Sequence, residues 1–209
     1  MKKSSLILAL VALGTVAGPV LAQQSPWLVR ARVVNIDTAN KFDATNAGRG
    51  AGAGSDSVHV SNKTIPEVDI SYFFTPNLAA ELILTYPQKH DVTLNGNNIG
   101  TLKHLPPTLS LQYHFMPEAQ FSPYVGAGIN YTRVSQVNLL NGAANLEKNS
   151  VGLSLQAGVD YKLDKNWSLN LDVKKVQIRS DLSLASDGTK LGTVKIDPWL
   201  VGVGVGYRF

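Results

Sequence analysis

The last eleven residues, Trp199-Leu200-Val201-Gly202-Val203-Gly204-Val205-Gly206-Tyr207-Arg208-Phe209, constrain the fold more than any other part of the chain. In an extended strand, Trp199, Val201, Val203, Val205, Tyr207 and Phe209 share one face, and Leu200, Gly202, Gly204, Gly206 and Arg208 share the other. Alternation of period two, with aromatic rings at both ends of the apolar face, suits a strand that crosses a bilayer with a ring in each headgroup layer.

The start of the chain agrees. Lys2 and Lys3 precede an apolar run from Leu6 to Val16, and Val20-Leu21-Ala22 closes it like a cleavage site. Residues 1–22 read as a secretory signal peptide, and 23–209 as a single domain. Without Lys2 and Lys3, 17 Lys and Arg stand against 15 Asp and Glu, and no basic stripe interleaved with aromatics points to nucleic acid. There is no cysteine, which excludes disulfides and zinc–thiolate sites. No run of eighteen apolar residues follows Ala22, so a membrane reading requires a closed barrel, the one β-structure that leaves no strand edge in lipid.

Eight segments alternate in the same way: Trp27–Ile36, Ile65–Phe74, Leu78–Tyr86, Thr108–Phe115, Tyr124–Val134, Val151–Leu163, a segment from Trp167, and Trp199–Phe209. In the seventh, Lys174-Lys175-Val176 breaks the alternation and reads as a bulge or as chain above the membrane. The connections after the second, fourth and sixth segments are short. Those after the others are long, at Asp37–Thr64, Pro87–Pro107, Ser135–Ser150 and Arg179–Asp197. This pattern predicts an all-β, eight-stranded antiparallel barrel of the cell outer membrane, with short turns and both termini in the periplasm and long loops outside. The stretch Gly48–Ser55 reads as mobile. A soluble lipocalin-like barrel is the competing reading. It would place aliphatics inside, whereas here the charges share one face and the opposite face is nearly free of them.

The inward face of the first three strands carries Arg30, Arg32, Glu67, Asp69 and Glu81. The first two strands are ladder neighbours, so these charges can pair into a plug across a bore that side chains nearly fill. Glycines on the inward face of the fifth, sixth and eighth strands serve either curvature or ligand space. Prolines give a sharper signal. Tyr86-Pro87 ends the third strand and Leu105-Pro106-Pro107 opens the fourth, so three missing N–H donors cluster on one seam. They either terminate the strands above the membrane or mark a lateral opening in the wall.

Catalysis finds no constellation. His59 and His90 read as solvated loop residues and His104 as lying just above the fourth strand. His90 and His104 can meet in the second long loop, but two imidazoles without a third ligand are a weak metal signal. Ser110 and His114 share a strand face about 13 Å apart, too far for a nucleophile–base pair. No cofactor and no enzyme activity are implied.

Three blocks together resemble the OmpW family: His104–Phe115, Pro123–Tyr131, and Asp197–Trp199 with Gly204–Phe209. The resemblance extends over the mature chain and implies an eight-stranded outer-membrane barrel. It also implies passage of small hydrophobic molecules through an apolar channel and a lateral gap by Pro87, Pro106 and Pro107, as proposed for a family that includes AlkL-type importers. A conduit of this kind predicts an apolar funnel built from loop leucines, with Leu102, Leu105, Leu139, Leu140, Leu182, Leu184 and Leu191 as candidates. The alternative is a filled structural or receptor barrel whose loops bind or adhere. Tyr207 and Phe209 resemble the C-terminal signal read by the barrel assembly machinery. Outer-membrane lipid is the other expected partner, and the sequence sets no oligomeric state.

Overall fold

The computed structural model describes residues 25–54 and 57–209. The leader expected over 1–22 lies outside the described residues. Strands follow in the order β1 (Trp27–Asp37), β2 (Lys41–Ala44), β3 (Val58–Val60), β4 (Lys63–Phe73), β5 (Leu78–Leu84), β6 (Gln88–Leu94), β7 (Asn97–Leu105) and β8 (Thr108–His114). The second half holds β9 (Phe121–Leu139), β10 (Ala144–Leu146), β11 (Asn149–Lys162), β12 (Trp167–Val176), β13 (Arg179–Leu184), β14 (Lys190–Lys195) and β15 (Trp199–Arg208). A short helix, α1 (Asn46–Gly50), separates β2 from β3.

Eight of these strands form the wall. Their order is β11-β12-β15-β1-β4-β5-β8-β9, and pairing of β9 with β11 from Arg133↔Asn149 to Phe121↔Tyr161 closes the cylinder. All eight wall ladders are antiparallel. The side-chain arrangement is inside out. Val151, Leu153 and Leu155 are 72%, 67% and 63% exposed on the outer face, while Arg30, Asp69 and Glu81 are fully buried within. Rings band the end that carries the short turns: Trp27 meets Tyr72, and Trp167 meets Tyr207, each edge to face with centroids 4.9 Å apart. Tyr86, Tyr131 and Trp199 stand exposed near the other end. An outward apolar band between aromatic girdles is what a lipid-embedded barrel requires.

Glycine sets the closeness of two seams. A Cβ at Gly204 would lie 2.1 Å from the Ala31 carbonyl oxygen, and one at Gly128 would lie 2.3 Å from that of Leu109. Any larger residue there would push neighbouring strands apart.

Much of the expected loop is ordered strand. Residues expected as loops form β2, β3, β6, β7, β10, β13 and β14, and β9 runs on to Leu139. These extensions pair with one another and carry the sheet beyond the wall at what is called here the extended end. Of the stretch Gly48–Ser55, residues 48–50 lie in α1. Thr45 Oγ1 accepts a hydrogen bond from Gly48 N (3.2 Å), and Thr45 N donates to Leu191 O (2.9 Å). The expected break at Lys174-Lys175-Val176 is absent. β12 keeps an unbroken register with β11 through Val176 and with β15 through Lys175, with Lys174 and Val176 buried and Lys175 turned to the Trp199 ring, 5.0 Å from its centroid.

Candidate functional site

The lumen is crossed by an ionic plug. Arg30 Nη1 lies 3.2 Å from both Asp69 and Glu81, and its Nη2 lies 2.7 Å from Asp160. Arg32 bonds Asp69 through Nε (2.8 Å) and pairs with Glu81 (2.9 Å), Asp172 (3.1 Å) and Glu67 (3.6 Å). Lys174 Nζ lies 3.0 Å from both Glu67 and Asp172. Neutral groups add further hydrogen bonds: Tyr124 donates to Asp172 (2.8 Å), Asn170 to Asp160 (2.9 Å) and Gln156 to Glu81 (3.1 Å). The structure therefore brings the five charged residues singled out in the sequence into one cluster. Sequence reasoning missed Asp160, Asp172 and Lys174 as members. Alternation gives the face of a residue, but it does not say which residues meet across the bore.

Above the plug, the seam between the third and fourth wall strands lacks ladder pairing. Pairing of β5 with β8 stops at Ile83↔Thr108, and the next pair along this seam is Gln88↔His104, between β6 and β7. Residues 84–87 and 105–107 lie between those pairs, and they contain Tyr86, Pro87, Leu105, Pro106 and Pro107. Side chains take over the freed carbonyls. Asn130 Nδ2 donates to Pro106 O and Pro107 O, each at 3.2 Å, and Gln88 Nε2 donates to Tyr86 O at 2.7 Å. Pro107 O is not left free at the seam, because Tyr131 N of β9 donates to it (3.0 Å) and continues the β8–β9 ladder. A further proline, Pro66 of β4, borders the same region, because β4 pairs with β5 only from Val68↔Leu84 onward. The sequence reading passed over it.

A small cavity of about 30 Å³ lies between plug and seam. Its apolar wall includes Ile36, Ile65, Ile83, Val176, Ile178 and Leu200. Glu67 and Lys174 form its charged border, and Thr85, Pro106 and His104 place it against the seam. None of the seven candidate funnel leucines lines this cavity. Leu102, Leu139, Leu182 and Leu191 are buried in one cluster that shares Val176 and Ile178 with the cavity wall, and Leu184 packs against it. Leu140 is 40% exposed and Leu105 only half-buried, both outside the cluster. The leucines thus form a packed cap rather than an open funnel, because the strand extensions give them partners to bury against.

The histidines differ most from expectation. His90 and His104 are buried rather than solvated, on the paired strands β6 and β7, with ring centroids 4.7 Å apart. His90 Nδ1 shares a 2.6 Å hydrogen bond with Ser61 O. Burial pushes the His104 imidazole down to about 3, with further lowering from His90 and Lys63, and burial also lowers His90. Among the described residues no three His, Cys, Asp or Glu side chains gather as a metal site. His114 faces inward, 3.2 Å from Gln112 through Nε2 and packed between the rings of Phe73 and Tyr124.

A closed antiparallel cylinder with an apolar exterior and a charged lumen defines a small outer-membrane β-barrel protein. The OmpW family profile matches residues 23–209, and the chain belongs to the OmpW family. It is 44% identical over 195 residues to the uncharacterized outer-membrane protein y4mB of Sinorhizobium fredii, covering 91% of this chain and 82% of that one. It is 26% identical over 204 residues to the dibenzothiophene metabolism operon protein PahQ of Pseudomonas aeruginosa, covering 92% and 93%. The crystal structure of OprG from Pseudomonas aeruginosa superposes with a TM-score of 0.73 at 27% identity, covering 89% of this chain and 97% of that one.

Proposed function

We propose that this barrel passes small hydrophobic molecules from the cell exterior into the outer-membrane lipid. In this reading the extended end faces outward and both termini lie in the periplasm. A solute enters the cavity beneath the leucine cap, is barred from the periplasm by the plug, and leaves sideways between residues 84–87 and 105–107. The observation that carries the reading is that one apolar cavity borders both the plug, through Glu67 and Lys174, and the unpaired seam, through Thr85 and Pro106. An apolar solute leaving into lipid is favoured by about 0.8 kcal/mol for each methylene removed from water. Family membership and a relative named for a dibenzothiophene metabolism operon support the same solute class. The test is flux of a hydrophobic probe into liposomes holding the protein, with and without the Pro87→Ala/Pro107→Thr pair. Flux above that of empty liposomes, reduced by the pair, is expected. Wild-type flux equal to that of empty liposomes removes the conduit.

The packed leucine cap is the observation that favours the second reading, a filled barrel whose outer surface serves binding or adhesion. That reading predicts no flux and no effect of the proline pair.

A further inference from the structure

Lys89 and Lys103 stand directly opposite each other on β6 and β7, one ladder pair beyond Gln88↔His104 at the seam. Their strand neighbours Gln88, His90, Leu102 and His104 are buried, so both lysines point to the outer face, Lys89 exposed and Lys103 half-buried. Arg133 is exposed on the same face of β9. Lys103 pairs with Ser135, which sets Arg133 one diagonal step away. Opposed and diagonal residues of a ladder lie within about 8 Å of each other, so three cations share one small area. Lys63 adds a fourth, its Nζ donating to Lys89 O (2.8 Å). Asp91, two residues along β6 on that face, stands opposite Thr101. The far side of the extended end is also basic, but there Arg179, Lys190 and Lys195 hold Asp197, Asp181 and Asp43, whereas no carboxylate among the described residues pairs with Lys89, Lys103 or Arg133. Like charges set opposite each other weaken a ladder, and an anion between them removes that repulsion.

We propose that Lys89, Lys103 and Arg133 form a site on the outer wall for the phosphate monoester of a membrane lipid of the lipid A type, a phosphorylated sugar carrying several acyl chains. The assignment goes beyond the conduit reading and does not rest on it: it needs the barrel in a bilayer, whether or not a solute passes. A phosphate monoester carries nearly two negative charges and three acceptor oxygens, a match for three convergent cations. The level fits a lipid headgroup. Tyr131 is exposed two residues from Arg133 on the same face, about 7 Å along β9, and tyrosine rings mark the membrane–water boundary. Next along that face comes Ile129, exposed beside its ladder partner Leu109 of β8. Phosphate at the cations and acyl chains along these apolar residues describe an amphiphile lying against the wall rather than a free anion.

The test uses refolded protein, residues 23–209, in neutral detergent, titrated separately with lipid A, fully dephosphorylated lipid A, phosphatidylglycerol and inorganic phosphate, with adducts counted by native mass spectrometry. Lipid A is expected to form a one-to-one adduct about a hundredfold tighter than its dephosphorylated form, from about fivefold per cation. Phosphatidylglycerol, a diester with one charge, should bind more weakly than lipid A. The triple variant Lys89→Gln/Lys103→Gln/Arg133→Gln should lose the preference for phosphorylated lipid. Arg179→Gln/Lys190→Gln/Lys195→Gln, which removes the same charge from the far side, should keep it. Equal binding of lipid A and its dephosphorylated form overturns the proposal, and so does equal loss in the two triple variants, which would reduce the effect to net charge. Phosphatidylglycerol binding as tightly as lipid A overturns the monoester, and inorganic phosphate binding as tightly overturns the lipid. If the first triple variant gives no heat-modifiable folded band, the wild-type ratio of lipid A to its dephosphorylated form decides, together with the single variants Lys89→Gln and Arg133→Gln.

Discussion

Replacing Arg30 with methionine tests whether the plug holds the barrel together. Arg30 is fully buried, and its guanidinium faces Asp69, Glu81 and Asp160 within 3.2 Å. The cluster sets Arg30, Arg32 and Lys174 against Glu67, Asp69, Glu81, Asp160 and Asp172, so carboxylates already outnumber cations. Among the described residues Asp160 has no other cation within salt-bridge distance, and without Arg30 it keeps only Asn170 among their side chains. Uncovering a buried charge in this way costs about 3–5 kcal/mol. Lys174→Met should cost less, about 2 kcal/mol, because Glu67 and Asp172 each retain Arg32 at 3.6 and 3.1 Å. Adding Asp160→Asn to Arg30→Met should return at least about 1 kcal/mol by removing the stranded charge, a coupling that a double-mutant cycle reads directly. The assay is equilibrium urea unfolding of protein refolded into phospholipid vesicles, with the folded fraction read from its heat-modifiable gel mobility. A loss below about 1 kcal/mol for Arg30→Met, or a larger loss for Lys174→Met, refutes the reasoning that pairing in the lumen supports the fold.

Gly204→Val should abolish the heat-modifiable folded band, since its Cβ meets the Ala31 carbonyl at 2.1 Å, whereas Gly50→Ala, with open space around it, should leave the band unchanged. Acid should loosen the extended end. His104 titrates near 3 in the folded protein against an ordinary 6.5, so the opened state binds the proton first, and the stability present above pH 6.5 drains away as pH falls toward 3. At pH 5 the loss is about 2 kcal/mol, with His90 adding in the same direction. Amide exchange along β7 should therefore quicken between pH 6.5 and 5, and an equal pH slope in His104→Leu would show that this ring is not responsible. Deleting Phe209 should lower the yield of assembled protein in the outer membrane while leaving refolding into vesicles intact. Unaltered assembly in cells would argue against Tyr207 and Phe209 as an assembly signal.

The wall was legible because a lipid-facing barrel reverses the usual polarity, and that reversal survives in single residues such as Arg30 beside Ala31 or Asp69 beside Ile70. What failed to show has physical causes. Period two gives the face of a residue but not its direction around the cylinder, so Asp160 and Asp172 were seen as inward without being joined to Arg30 and Arg32. Two successive lysines read as a broken pattern, yet they obey it. Lys174 is held by Glu67 and Asp172, and Lys175 lays its charge over Trp199. The extensions escaped notice because their pairing shifts register, between Val92 and Thr93 and between Leu182 and Ser183, which blurs any simple alternation. His104 looked like loop because its burial depends on β6, β7 and β9 assembling around it. Pro66 was hidden in mid-strand. Its partner in β1 is regular, and only the missing ladder toward β5 reveals its place at the seam.

An unpaired seam beside hydrocarbon would ordinarily be costly, because lipid offers no hydrogen bonds to open backbone groups. Here the sequence removes the cost from both sides. Pro87 and Pro106 have no N–H to leave open, Gln88 and Asn130 cover the carbonyls of Tyr86 and Pro106, and Tyr131 N holds Pro107 O on the β9 side. Below the unpaired residues, the pairing of β5 with β8 up to Ile83↔Thr108 is regular. The plug completes the logic. Moving on toward the turn end would require a solute to part the buried ion pairs of the plug. Leaving through the seam breaks no backbone ladder and gains the transfer free energy of the chain. On the proposed conduit, two sequence devices that look unrelated would act on the same solute: inward charges low in the barrel would close one exit, and prolines high in one seam would leave the other open.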